Sequence, residues 1–165
     1  MPGGATIYAC LVGDSSPYGV VELDANGAPV SLEEKPARPR SKLAVPGLYV
    51  VDGEAVRFAR TLTPSGRGEL EILDLLGKYL DAGTLRVTPL GRDMAWLDMG
   101  TTESLARAAE VVGAMETRHG LRIGCLEEIS LRMKYRTPSE MRAAISTYPK
   151  SPYRAHIETL LEETM

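Results

Sequence analysis

Cysteine is scarce in this chain. Cys10 and Cys125 are the only two in 165 residues, far apart and with no CxxC pair. That excludes a disulfide framework and any metal motif recognisable by clustered His/Cys spacing. Aromatic residues are 5% of the chain, with one Trp and one Phe, so a core must be assembled from Leu, Val, Ile, Met and Ala. No apolar run approaches the ~18–20 residues of a membrane span. The apolar patch within residues 1–13 has no Lys or Arg ahead of it, which argues against a signal peptide. A cytoplasmic, reducing location and no membrane partner are the expectations. Charge of one sign is also lacking: 19 Lys and Arg face 22 Asp and Glu, for a net charge of -3. There is no basic stripe for nucleic acid, no Gly-rich loop of the P-loop or dinucleotide kind, and no Ser or Cys nucleophile with a recognisable partner. What remains is one acidic domain, or a piece of one, at ~100–200 residues per domain.

The hydrophobic pattern reads as strands first, then strand and helix in alternation, then a helical tail. Residues 5–12 form a β-rich run that is apolar on both faces, suiting a buried strand that wants neighbours on both edges. Residues 18–23 and 30–34 flank Asn26-Gly27, a strong hairpin signal. Residues 35–42 form a basic, Pro-broken loop. Residues 44–51 read as a strand distorted at Pro46-Gly47, since Pro lacks the ladder donor. Helices are expected from Asp52 to Leu62 and from Glu69 to Asp81, the second with Leu70, Leu73, Leu76 and Leu80 on one face. Strands are expected at 85–90 and 95–97. A long helix capped by Thr101 or Thr102 stops at Gly120. In the tail, 127–134 is helical, Thr137-Pro138-Ser139-Glu140 is a capping box, and Ser151-Pro152 opens the last helix. This is an α/β pattern. No linker separates domains, so the expected division is only functional, 5–100 and 101–165.

Four segments combine charge with conformational punctuation. Gly19 lies inside a strand, where glycine marks either a bulge or a close approach by a ligand. In Glu33-Glu34-Lys35 the two carboxylates point to opposite faces of a strand; one facing a cleft would accept sugar hydroxyls, and the lysine would hold a phosphate as a point charge. The bland alternative is an exposed strand end. Arg67, between glycines and before a helix, can present a fork to phosphate, or belong to a flexible loop followed by Glu69 and Glu71 as first-turn acids that suit a helix dipole. Asp98, at a strand end before Gly100 and a capped helix, suits either a divalent cation held against phosphate or a plain helix-capping role. His119 and His156 are solitary and read as surface or structural.

Together these segments are far more specific than any one. The ordered set YGVVELDANG, SLEEKP, VPGLYVVD, SGRGELEILD, AWLDMGT and HGLRIGCLEEI closely resembles the C-terminal portion of bacterial glucose-1-phosphate thymidylyltransferases, over residues 4–132 and more loosely the tail. The resemblance implies part of a Rossmann-like sugar nucleotidyltransferase fold, with a mixed sheet, packed helices and a helical tail. It implies transfer of a thymidylyl group from dTTP to glucose-1-phosphate with Mg2+. Gly19 and Val45 would contact the sugar through their backbones, Glu34 would accept its hydroxyls, and Tyr49 would line the pocket. Lys35 and Arg67 would hold the sugar phosphate, and Asp98 would be a Mg2+ ligand. Arg92, Glu128, Ile129 and Arg132 would belong to a second, regulatory nucleotide site, in a homo-oligomer. Pro46, Met99 and Leu43 depart from the family pattern.

The family's phosphate loop, catalytic lysine, base-reading residues and second metal-binding Asp have no counterpart among these 165 residues. The expectation is therefore a truncated or split form, inactive alone, that handles dTTP only when a complementary N-terminal half is supplied. Alternatives are a non-catalytic assembly or regulatory module paired with a full-length relative, and a nucleotidyltransferase for another sugar or base. A further expectation is that residues 5–12 lack strand partners and leave an open sheet edge.

Overall fold

A computed structural model describes residues 3–91, 93–120 and 122–163. The chain divides into two units, one running to Trp96 and the other from Leu97 onward.

The first unit contains strands β1 (Ala5–Leu11), β2 (Gly19–Leu23), β3 (Pro29–Glu34), β4 (Leu43–Ala44), β5 (Tyr49–Val51) and β6 (Leu85–Pro89), with helices α1 (Glu54–Ala59) and α2 (Ile72–Asp81). The sheet is mixed: β1 and β6 are parallel, and the other pairs are antiparallel. Backbone groups alternate in direction along a strand. In β1, Ala5 N–H and Ala9 C=O face the β6 side, whereas Val12 N–H reaches Lys42 on the β4 side. So β4 and β5 line one edge of β1 and β6 lines the other. This corrects the expectation that residues 5–12 lack partner strands. Among the described residues β3, β5 and β6 each pair with a single strand and form the edges of the sheet.

The β2–β3 hairpin closes where Asn26-Gly27 predicts. Asp24 N–H donates to Ala28 C=O at 2.8 Å, and Gly27 takes φ +83°, which glycine adopts without a Cβ penalty. Residues 44–51 do not form one strand. Pro46 cannot donate to a ladder, and the backbone breaks between β4 and β5, with Leu48 N–H turned onto Pro46 C=O at 2.7 Å. The short strand expected at 95–97 does not form; those residues are irregular.

The core of this unit packs Ala5, Ile7, Ala9 and Val21 of the sheet against Leu73, Leu76 and Tyr79 of α2. Burying each such Leu contributes about 1.5–3 kcal/mol. The α2 face keeps Leu73, Leu76 and Leu80 of the sequence reading, but Leu70 precedes the helix and is exposed, and Leu75 and Tyr79 are also buried. Helix α1 is shorter than expected, and Asp52 acts just ahead of it. Its carboxylate accepts from Glu54 N–H, Gly4 N–H and the Tyr79 hydroxyl. Those bonds hold the Asp52 carboxyl below its ordinary value. Burial, with Asp52 beside it, pushes the Tyr79 hydroxyl up to about 12.

The second unit holds α3 (Thr102–His119), α4 (Leu126–Arg132), α5 (Pro138–Ile145) and α6 (Pro152–Glu163). Thr101 caps α3, and Gly120 ends it at φ +63°. Thr137 and Glu140 close a reciprocal capping box on α5, with Pro138 in the first turn. Cys125, Met141, Ile145, Ile157 and Leu161 form its core. No described helix is long and apolar enough to cross a membrane. Both cysteines are free.

Candidate sugar-phosphate site

Three sequence-predicted residues meet at the end of the β2–β3 hairpin. Glu34 closes β3, and Lys35 follows with φ +45°, a left-handed conformation that turns the chain out of the strand. Lys35 N–H still donates to Tyr18 C=O at 3.0 Å, so the turn is tied to the sheet. The Lys35 ammonium lies 4.0 Å from Glu34 Oε1, and an Arg67 guanidinium nitrogen lies 3.6 Å from the same oxygen. One carboxylate therefore joins two half-exposed cations.

Arg67 is held by more than Glu34. It pairs with Glu69 at 2.8 Å and lies 3.7 Å from Glu71 Oε1. Ser65 organises the loop: its hydroxyl donates to Glu71 at 2.8 Å and accepts from Arg67 N–H at 3.1 Å. Sequence reasoning missed this cradle because it placed Glu69 and Glu71 in the first turn of a helix. In the structure Glu71 is extended (φ -84°, ψ 135°) and the helix begins at Ile72. The signal that was available is charge alternation: an Arg with acids two and four residues on can fold back on both once the segment is a loop.

Gly19 pairs with Glu34 across the hairpin and is buried. A Cβ there would meet Leu73 of α2 at 2.8 and 2.9 Å and Glu34 Oε2 at 3.3 Å, so glycine lets the helix and the carboxylate approach the strand together. Gly19 C=O accepts from Val45 N–H at 2.8 Å. Val45 is buried. Tyr49 on β5 is half-buried; burial and the nearby Glu34 charge raise its hydroxyl above the ordinary value. Trp96 meets Tyr18 edge-on at 4.8 Å. A separate cavity of about 320 Å3, lined by Leu32, Thr61, Leu73, Lys78 and Asp81 among others, contains none of these candidates.

Asp98 is exposed and belongs to the second unit. Among the described residues no trio of ligating side chains includes it. Arg92 lies outside the described residues. Glu128 is buried, and its Oε1 accepts from Arg132 Nε at 2.8 Å and a terminal nitrogen at 2.7 Å. Ile129 beside it is exposed. His156 is not solitary, contrary to the sequence reading: its Nε2 lies 3.4 Å from Glu128 Oε2, and Cys125 is close to both. The Cys125-x-x-Glu128 spacing puts two of these on one side of α4, but nothing along the chain ties them to a histidine on α6.

The chain is 44% identical over 157 residues to a glucose-1-phosphate thymidylyltransferase of Actinoplanes sp., covering 95% of this chain and 52% of the relative. It is 46% identical over 160 residues to the enzyme of the same name from Neisseria meningitidis, covering 97% of this chain and 56% of that one. The chain thus spans about half the length of the curated relatives it matches. A solved structure from Bacillus anthracis, named provisionally for the same activity and holding sucrose, superposes with a TM-score of 0.60 at 35% identity, covering 67% of this chain and 44% of its own. The nucleotidyl transferase family model matches residues 2–114, through the hairpin, Lys35, Arg67 and Asp98 alike, and by that match the chain belongs to the nucleotidyl transferase family.

Proposed function

We propose that this chain forms the sugar-phosphate side of a glucose-1-phosphate thymidylyltransferase, within a Rossmann-like nucleotidyltransferase fold. The observation that carries the reading is the convergence of Lys35 and Arg67 on Glu34 at the hairpin end. Two cations within reach of one another suit the dianion of a sugar phosphate. Glu34 and Tyr49 line its sugar side, with the Val45 carbonyl and the Gly19 backbone beneath.

The reaction is an in-line attack by a sugar-phosphate oxygen on the α-phosphorus of a nucleoside triphosphate, in which positioning and charge stabilisation supply most of the catalysis. Lys35 and Arg67 orient the attacking phosphate and lower its repulsion from the triphosphate. Glu34, accepting sugar hydroxyls, sets the rotation of the hexose so that the phosphate faces its target. By the resemblance Asp98 would hold Mg2+, an ion that commonly completes its shell with water and substrate phosphates and would supply charge neutralisation to the transfer. Glu128, Ile129 and Arg132 form part of a second nucleotide site in this reading, and the protein acts as a homo-oligomer.

The test is calorimetric titration of the 165-residue chain with glucose-1-phosphate, beside a pyrophosphate-release assay with dTTP and Mg2+. Binding that weakens at least tenfold in Arg67→Ala supports the reading. The 165 residues alone are expected to bind without turnover, since the resemblance assigns base and triphosphate recognition to the remaining length of the relatives. Absence of binding, or binding indifferent to Lys35 and Arg67, overturns the proposal.

A further inference from the structure

The second unit brings together a cysteine, a glutamate and a histidine, of which the reading above uses only Glu128, in its second nucleotide site. Cys125 directly precedes α4, Glu128 follows at i+3 on the same side, and His156 comes from α6. The thiol sulfur, a carboxylate oxygen and a ring nitrogen all lie within 4.8 Å of one another. All three are sheltered: Cys125 is 2% exposed, Glu128 8%, and the His156 side chain 15%.

The spacing is informative. His156 Nε2 and Glu128 Oε2 are 3.4 Å apart. That is longer than the usual ~2.7–3.2 Å of an N–H···O hydrogen bond. It matches two ligands on one tetrahedral ion, since bonds of about 2.0–2.1 Å to N and O set an edge of about 3.3–3.4 Å. A sulfur at ~2.3 Å would sit about 3.6 Å from the other two.

The surroundings hold the carboxylate in place. Arg132 occupies Glu128 Oε1 and leaves Oε2 toward the histidine, the kind of outer support that fixes metal ligands. Neighbouring Glu127 is held by the Tyr148 hydroxyl at 2.7 Å and by Tyr153, and its Oε2 lies 3.9 Å from Cys125 Sγ. His156 also borders a cavity of about 340 Å3, with Glu116, Arg122 and Thr159. Sulfur, nitrogen and a single carboxylate together suit a borderline ion; Mg2+ and Ca2+ favour oxygen alone.

We propose that Cys125, Glu128 and His156 bind one divalent transition-metal ion of the zinc class. Binding displaces the thiol proton to water and leaves the imidazole neutral. The site is independent of the sugar phosphate.

The test uses the full 165-residue chain, stripped with a chelator, kept reduced with a phosphine and titrated with Co2+. The expected result is a single cobalt per chain with thiolate-to-cobalt charge-transfer absorption in the near ultraviolet, displaced by Zn2+. Cys125→Ser should abolish that band, and His156→Gln should weaken binding at least tenfold with circular dichroism unchanged. Cys10→Ser should leave both intact. A wild-type chain with no such band overturns the proposal, as does a band lost in Cys10→Ser but kept in Cys125→Ser. Should the Cys125 and His156 variants fail to fold, the wild-type and Cys10→Ser spectra decide.

Discussion

Arg67 faces three carboxylates, so a phosphate entering the hairpin end must take the guanidinium from at least one of them. Glu69 is the one most readily displaced, being exposed and attached by a single close pair at 2.8 Å. Exposed ion pairs contribute only ~0–1 kcal/mol. Glu69→Gln is therefore expected to strengthen glucose-1-phosphate binding by up to a few fold in calorimetric titration, whereas Arg67→Lys weakens it because the fork is lost. Asp52 offers a second test. Its folded-state carboxyl is held low by Gly4, Tyr79 and Glu54, so its stabilisation is fully present above an unfolded value of about 3.9 and is lost as pH falls through the lower folded value. Tyr79 is shifted the other way; its contribution is intact below ~10 and lost as pH rises through about 12. Chemical denaturation of Asp52→Asn should show a flatter acid limb than the parent. Tyr79→Phe should lose about 1.5–3 kcal/mol, the range for a hydrogen bond to a charged partner. Lys35 and Arg67 could be picked out as candidate phosphate ligands from local sequence, because charge beside glycine or a strand end is a local signal. The Glu69–Glu71 cradle could not, because it depends on where α2 starts.

At the scale of elements, capping and turn chemistry were the most legible features. Thr137-Pro138-Ser139-Glu140 predicts a helix start that the structure reproduces, with Thr137 accepting from Glu140 N–H and Glu140 accepting in return. Thr137→Ala is expected to cost about 1 kcal/mol in urea unfolding. Gly19→Ala should be costlier than an ordinary strand substitution, because the added methyl meets Leu73 at 2.8 Å; loss of the sugar-phosphate site alongside stability would mark the shared packing of helix, strand and Glu34. Elements were misread where periodicity competed with geometry. Residues 44–51 are β-prone on either side of Pro46-Gly47 but divide there into two strands, and residues 95–97 have strand composition without a strand partner among the described residues.

At the scale of the molecule, the described residues form two cores with no member in common, one around Ile7, Leu76 and Tyr79 and the other around Met141, Ile157 and Leu161. Leu161→Ala is expected to cost about 2–5 kcal/mol within its own unit. Hydrogen exchange should then report lost protection in α5 and α6 while β1 keeps its own. Composition, hairpin, caps and the ordered motifs were determined by the sequence alone, because each is written within a few neighbouring residues. Only the tertiary structure decided that β1 is flanked on both edges, that Arg67 rests among three acids, and that a cysteine, a glutamate and a histidine converge between α4 and α6. The physical reason is that separation along the chain sets no distance across a packed interface: that distance comes from which faces the helices and strands bury against one another.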